Sequence, residues 1–172
     1  MAGLAYVALE DRVRPALPHL VPLTAAAQST NGLVLLPDDV SLVGTEQIAG
    51  FRHDTQALRV AALDHDVPVQ LELPSGSKAG QYTERSADWV LPLILGVPSS
   101  IVASLVATHV QRRLDSWRSK GSSLTPTVRY REVVVSNDAE GAYVVREIEG
   151  PADEVIAWLR EERGGIPDRG DI

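Results

Sequence analysis

The chain has 172 residues, a formal net charge of −7 and no cysteine. This length is enough for one domain with a sizeable core, so folding does not depend on a metal or a disulfide. The lack of cysteine excludes disulfides, thiolate metal sites and cysteine nucleophiles, and it agrees with the cytoplasmic location that we expect. The acidic balance argues against nucleic acid as a partner, because contacts with phosphates dominate that affinity.

The first half of the sequence predicts a strand–helix–strand unit. Leu33–Leu36 is a compact apolar run, typical of a strand that is buried on both faces. Gly44 and Thr45 open a predicted helix that runs to about Asp64. Apolar and polar residues then alternate over 67–73, which predicts a half-buried strand. The simplest connection between these two strands is a right-handed parallel crossover.

The middle of the chain combines a predicted loop with two predicted helices. The composition of residues 74–82 (PSGSKAGQY) is typical of a loop. A short helix is predicted to begin near Ser86 and to be interrupted at 96–98, where the sequence is Gly-Val-Pro. A longer helix is predicted from Ser99 to Lys120, with one apolar face and one stripe of small polar residues.

The last part of the sequence predicts a hairpin followed by a helix. Thr127–Val135 and residues 142–148 have the composition of two strands and are joined by the turn sequence SNDAEG. A helix is predicted over 151–163, and 164–172 is predicted to be a disordered tail. The predicted fold is therefore a single α/β domain over 1–163, with a mixed sheet of four or five strands covered by helices.

Residues 90–110 form a long segment without a charged side chain, and a basic stretch follows it. Residues 111–131 hold six basic side chains against one acidic side chain, that of Asp115. An apolar segment of this length has to be buried in the core, in a partner or in lipid. Pro92, Gly96 and Pro98 argue against a membrane span, and a span would also separate two halves that each lack a complete core.

The apolar segment and its basic continuation motivate our first hypothesis about function. We expect a non-enzymatic accessory or regulatory module that docks on a protein partner or on a second copy of itself. Contact with a membrane surface is an alternative, since basic residues are attracted to anionic lipid. The predicted interface residues are Trp89, Leu93, Val102, Val106, Val110, Arg112, Arg113 and Trp117.

The second hypothesis is a cation-dependent hydrolase or a nucleotide-binding domain. Asp38 and Asp39 directly follow the first predicted strand, where open α/β sheets place their ligands. Adjacent carboxylates can hold a divalent cation, although a Pro-Asp-Asp sequence is equally a turn. No nucleotide-binding glycine motif accompanies them, so we expect no bound cofactor. His109, inside the apolar segment, is either a pH-sensitive group or a residue at the edge of the core.

Overall fold

The computed structural model describes residues 9–16, 18, 20–27, 33–52, 54–81, 89–95, 100–135 and 143–163. Within these residues the chain forms nine β-strands and four α-helices. The strands are β1 (Glu10–Pro15), β2 (Leu33–Leu36), β3 (Asp39–Val43), β4 (Glu46–Phe51), β5 (Val69–Leu71), β6 (Ser77–Gln81), β7 (Trp89–Leu95), β8 (Thr127–Val135) and β9 (Tyr143–Pro151). The helices are α1 (Leu20–Ala27), α2 (Thr55–Asp64), α3 (Ser100–Ser119) and α4 (Ala152–Trp158), and a π-helical turn over Leu159–Arg163 continues α4.

The strands form a large mixed sheet and a smaller one. Six strands lie in the order β1-β9-β8-β7-β2-β5, and three lie in the order β3-β4-β6. In the large sheet β7 pairs with β8, and β2 with β5, in parallel, while the other neighbours are antiparallel. In the small sheet β3 and β4 form a hairpin, and β4 pairs in parallel with β6. Strands β5 and β6 therefore each lie at one edge of a sheet.

Helices cover the large sheet on both faces. Along β8, Val128 and Tyr130 belong to the main hydrophobic cluster, which also contains residues of α2, α3 and α4. Val133 belongs to a second cluster with Leu20 and Leu23 of α1. Because side chains alternate along a strand, these two clusters lie on opposite faces of the sheet. The α/β class predicted from the sequence is confirmed.

Several predicted elements are also confirmed. Strands β2 and β5 are parallel and α2 lies between them in the chain, as the strand–helix–strand prediction requires. Helix α3 has nearly the predicted bounds, and β8 and β9 form the predicted antiparallel hairpin before α4. The predicted tail, 164–172, lies outside the described residues. Each confirmed element has a strong local pattern of its own.

The helix predicted over 45–64 is wrong in its first half. Residues 46–51 form β4, and α2 begins only at Thr55. Gly44 has a φ of +66°, which lets the chain turn tightly from β3 into β4. Strand β4 then pairs with β3 on one side and with β6 on the other, so pairing with distant residues overrides the local helical spacing.

The segment between β5 and α3 was also predicted incorrectly. Residues 77–81 are strand β6 and not a loop, and 89–95 are strand β7 and not a helix, so the prediction of four or five strands was too low. A short apolar run buried on both faces has no period that separates a strand from a helix. Pro92 lies where the register between β7 and β8 shifts, which accommodates its missing N–H.

The apolar segment 90–110 is thus divided between a central strand and a helix. The described part of the segment, 90–95 and 100–110, belongs to β7 and α3. Among the described residues, no helix combines the length and the hydrophobicity needed to cross a membrane. Of the three destinations considered for this segment, burial in the chain's own core is the one that the structure shows.

Candidate ligand-binding cleft

A cleft of about 160 Å³ lies between the first turns of α2 and the edge strands β5 and β6. Its apolar wall includes Phe51, which is buried at the end of β4, and Leu71 of β5. Its polar side chains come mainly from residues 52–59, at the beginning of α2. The lining residues are Phe51, Arg52, Thr55, Gln56, Arg59, Leu71, Ala79, Gly80 and Gln81.

Helical spacing and the pairing of β4 with β6 bring these residues together. Arg52, Thr55, Gln56 and Arg59 are three or four residues apart, so one side of the first turns of α2 presents all of them. Gly80 brings the backbone of β6 close to its neighbour, since a Cβ here would lie 2.6 Å from Cγ2 of Ile48. The parallel pairing of β4 and β6 then fixes the two walls relative to each other.

The two arginines of the cleft differ in how their charges are compensated. Arg52 donates from Nε to Oδ2 of Asp38 and forms an ion pair with it. Arg59 donates from Nη1 to Oε1 of Gln56 over 3.3 Å, and among the described residues it forms no ion pair with a carboxylate. Within the described part of the chain, the guanidinium of Arg59 therefore adds a positive charge that no carboxylate pairs.

Thr55 carries a buried hydroxyl group at the start of α2. Its side chain is 6% exposed, and its Oγ1 has no hydrogen-bond partner among the described residues. Asp54, the N-cap residue, makes no side-chain capping bond, and its carboxylate pairs with Arg113 of α3 instead. The positive end of the helix dipole thus lies at one side of the cleft, while the hydroxyl of Thr55 is closed off from it.

We expect Thr55→Val to stabilise the chain. Valine has nearly the same shape, and it removes a hydroxyl group whose burial without a partner costs on the order of 1–3 kcal/mol. The free energy of unfolding in urea should therefore rise by roughly 1 kcal/mol or more. Thr125→Val, at an exposed position, is the control and should change little. A loss of stability in Thr55→Val would show that the hydroxyl is bonded in the folded chain.

Asp38 lies directly after β2, as predicted, but its carboxylate is bound by two arginines. Oδ1 accepts a hydrogen bond from Nη2 of Arg131 at 2.8 Å, and Oδ2 accepts from Nε of Arg52. Arg131 is 5% exposed and also donates to the backbone oxygen of Leu91 at 2.9 and 3.2 Å. Burial lowers the pKa of Arg131, and the carboxylate of Asp38 opposes that shift.

Asp39, the other half of the predicted cation site, does not share these partners. Its Oδ1 is buried and has no hydrogen-bond partner among the described residues. The same part of the chain contains no group of three or more histidine, aspartate or glutamate side chains that could hold a metal ion. Asp38 acts as the counter-ion of Arg131 and Arg52, so its oxygens are already occupied.

The predicted interface residues lie mostly inside the chain. Arg113 is partly exposed, and its guanidinium lies 4.4 Å from the ring centroid of Trp89. Trp117 is partly exposed and packs edge-to-face on Trp89, with 5.9 Å between ring centroids. Arg112 is exposed. The remaining five are buried in the hydrophobic clusters: Trp89, Leu93, Val102, Val106 and Val110.

The basic end of α3 and the cleft are neighbours, although they are far apart in the sequence. The link is the ion pair between Arg113 and Asp54, because Asp54 precedes Thr55 in the chain. The cleft was not predicted from the sequence. One available signal was the spacing of Arg52, Thr55 and Arg59 on one helical face. The contribution of β6 had no local signal, and the alternation that predicts β5 does not indicate a cleft.

His109 lies on α3, near the charged groups at the start of α2. Its Nε2 is buried and has no hydrogen-bond partner among the described residues. Burial lowers the pKa of His109 from its ordinary value of 6.5. The carboxylate of Asp54 opposes this shift, while Arg113 and Arg112 add to it. The imidazole is therefore held in its neutral form by its surroundings.

We expect the chain to lose stability as the pH falls through the titration range of His109. The unfolded chain binds a proton on this ring below about pH 6.5, whereas the folded chain resists protonation because its pKa is lower. The unfolded state then binds more protons, so the free energy of unfolding decreases toward acid. In urea unfolding between about pH 8 and about pH 5, His109→Gln should reduce this slope. An unchanged slope would contradict the prediction.

No protein-family model matches the chain, and neither a curated protein nor a solved structure is significantly similar to it. Function therefore has to be inferred from the arrangement of side chains. The cleft brings a positive charge, hydrogen-bonding side chains and an apolar wall together at the surface, which is the usual composition of a binding site.

Proposed function

We propose that the chain is a non-enzymatic accessory or regulatory module that docks on a protein partner and receives one residue of that partner in the cleft. The observation that carries this proposal is the guanidinium of Arg59, which pairs with no carboxylate among the described residues and lies beside the apolar wall of the cleft. The guanidinium gains a hydrogen-bond partner when a polar group enters, and the apolar wall contributes by burial.

The size of the cleft supports a single residue as its occupant. Pockets that enclose drug-sized molecules measure about 300–1,000 Å³, whereas this cleft measures about 160 Å³. A side chain or a chain terminus fits such a volume. Of the interface predicted from the sequence, Arg112 and the accessible parts of Arg113 and Trp117 remain available to the same partner.

A variant that blocks the cleft tests whether the cleft is used. Ala79 is an exposed lining residue, so Ala79→Phe places a ring in the cleft without disturbing the core. Ala57→Phe makes the same change at an exposed position of α2 outside the lining. We expect proteins captured by the wild-type chain in a native pull-down to be lost with Ala79→Phe and retained with Ala57→Phe. Equal capture by both variants would overturn the proposal.

The cation-dependent hydrolase gains no support from the geometry. Both carboxylate oxygens of Asp38 are engaged by arginines, and Asp39 does not contribute to that cluster. A divalent cation would have to displace two guanidinium groups from Asp38 before it could bind. Calorimetric titration with magnesium or manganese tests this alternative directly. Binding that is lost in Asp38→Ala would revive it.

A further inference from the structure

The charge in the cleft indicates what kind of group the partner presents. We propose that the cleft binds the C-terminal carboxylate of a partner whose last residue has an apolar side chain. This inference rests on the proposed function, because it names the residue that the cleft receives. Its three supports are the net charge of the polar wall, the position of the hydrogen-bonding groups and the apolar wall beside them.

The charge argument favours an anionic group. The guanidinium of Arg59 has no carboxylate partner among the described residues, and that of Arg52 shares the carboxylate of Asp38 with Arg131. The beginning of α2 adds the partial positive charge of the helix dipole. A carboxylate offsets part of this excess, and inorganic phosphate is the competing anion in the experiment below.

The hydrogen-bonding groups suit the end of a peptide chain. Arg59 offers a charged donor on the side of the cleft that α2 forms. A carboxylate accepts several hydrogen bonds at once, and bonds from a charged donor are the stronger kind. The side-chain amides of Gln56 and Gln81 also line the cleft, and an amide can both donate to and accept from the last peptide unit.

The apolar wall supplies the second half of the recognition. Phe51, Leu71 and Ala79 line the cleft beside the polar residues, and Phe51 is 3% exposed. A terminal residue with an apolar side chain places a carboxylate and an aliphatic group on the same carbon atom. It can therefore meet both walls at once, with each buried methylene contributing about 0.8 kcal/mol in general. An acidic side chain within a peptide has only a short aliphatic stem, so it buries less apolar surface against this wall.

Four small probes distinguish the sources of the negative charge. N-acetyl-leucine carries the terminal carboxylate and the apolar side chain, and N-acetyl-leucinamide is its neutral counterpart. N-acetyl-glutamate amide presents a side-chain carboxylate, and inorganic phosphate presents a different anion. Titrations followed by NMR of the backbone amides should show binding of N-acetyl-leucine at residues 55–59 and 79–81. Its affinity should exceed that of each other probe by about tenfold, the effect of one charge-assisted hydrogen bond.

Two variants then connect this preference to Arg59. Arg59→Gln should weaken the binding of N-acetyl-leucine by about tenfold or more. Arg160→Gln removes the same charge at an exposed position outside the cleft and should leave the affinity unchanged. Equal affinity for the acid and the amide overturns the inference, and so does stronger binding of phosphate or of the glutamate probe.

Failure of this inference can be told apart from failure of the proposed function. If Ala79→Phe abolishes capture of a partner while Arg59→Gln does not weaken N-acetyl-leucine binding, the cleft docks a group of another kind. The proposed docking function then holds, and the proposal that the cleft binds a C-terminal carboxylate fails. If Ala79→Phe leaves capture intact, the cleft is not the docking site, and both proposals fall together.

Discussion

Asp38→Asn is expected to lower the free energy of unfolding by about 3–5 kcal/mol. The change removes the negative charge that faces Arg131, whose guanidinium is almost entirely buried. An asparagine can accept a bond from one arginine, but its amide group then meets the second arginine as another donor. A buried cation without a counter-ion costs several kcal/mol, and urea or thermal unfolding measures that cost directly.

Two further variants separate this charge effect from a general effect of substitution. Asp39→Asn makes the same chemical change one residue away, where Oδ1 has no hydrogen-bond partner among the described residues, and should alter stability by less than about 1 kcal/mol. Asp38→Leu combined with Arg131→Met removes both charges and should be more stable than Asp38→Leu alone. If Asp38→Asn and Asp39→Asn have equal effects, the ion pair does not contribute as described.

The role of Asp38 shows what a sequence can and cannot indicate about a site. Its place after a buried strand was predicted, and the structure confirms that place. Its role as a counter-ion was not predicted, because the two arginines that bind it come from positions 52 and 131. Arg131 lies 93 residues away in sequence, on a strand that is separated from β2 by β7. No local pattern indicates such a partner, so two adjacent acidic residues resembled a metal site.

The same distinction separates the elements that were predicted from those that were not. Helix α3 was predicted because the apolar residues in its twenty positions recur at helical spacing and form one face. Strand β6 was missed because its sequence, SKAGQ, has little preference for a strand and depends on its pairing with β4. Strand β7 was missed because burial on both faces removes the alternation that marks most strands. Pairing between distant segments decided both cases.

The candidate cleft is harder to predict than any single element for a related reason. Its positive wall comes from the first turns of α2, and its apolar wall comes from three strands. The prediction of a helix from residue 45 onward placed Arg52 and Thr55 in the middle of that helix. Neither residue then lay at a helix terminus, and the beginning of α2 could not be considered as a binding site. A boundary error of ten residues was enough to conceal the site.

The other large effect is expected for Val106→Asp. Val106 lies on α3, is fully buried and belongs to the main hydrophobic cluster. The side chains of this cluster are apolar, so folding must either bury the charge of the aspartate among them or protonate it. Either route costs several kcal/mol, which rivals the 5–15 kcal/mol of total stability that is typical of a domain. We expect the variant to be largely insoluble or to melt far below the wild type.

Ser104→Asp is the matched control for this prediction, because it adds the same charge to the same helix at an exposed position. Its melting temperature should stay close to that of the wild type, since an exposed aspartate remains hydrated. Positions 104 and 106 are two residues apart on a helix and therefore point in nearly opposite directions. A difference between the two variants consequently reports burial, and not the charge itself. If both melt alike, α3 does not hold residues 100–110 in the core, and the destination assigned to the apolar segment is wrong.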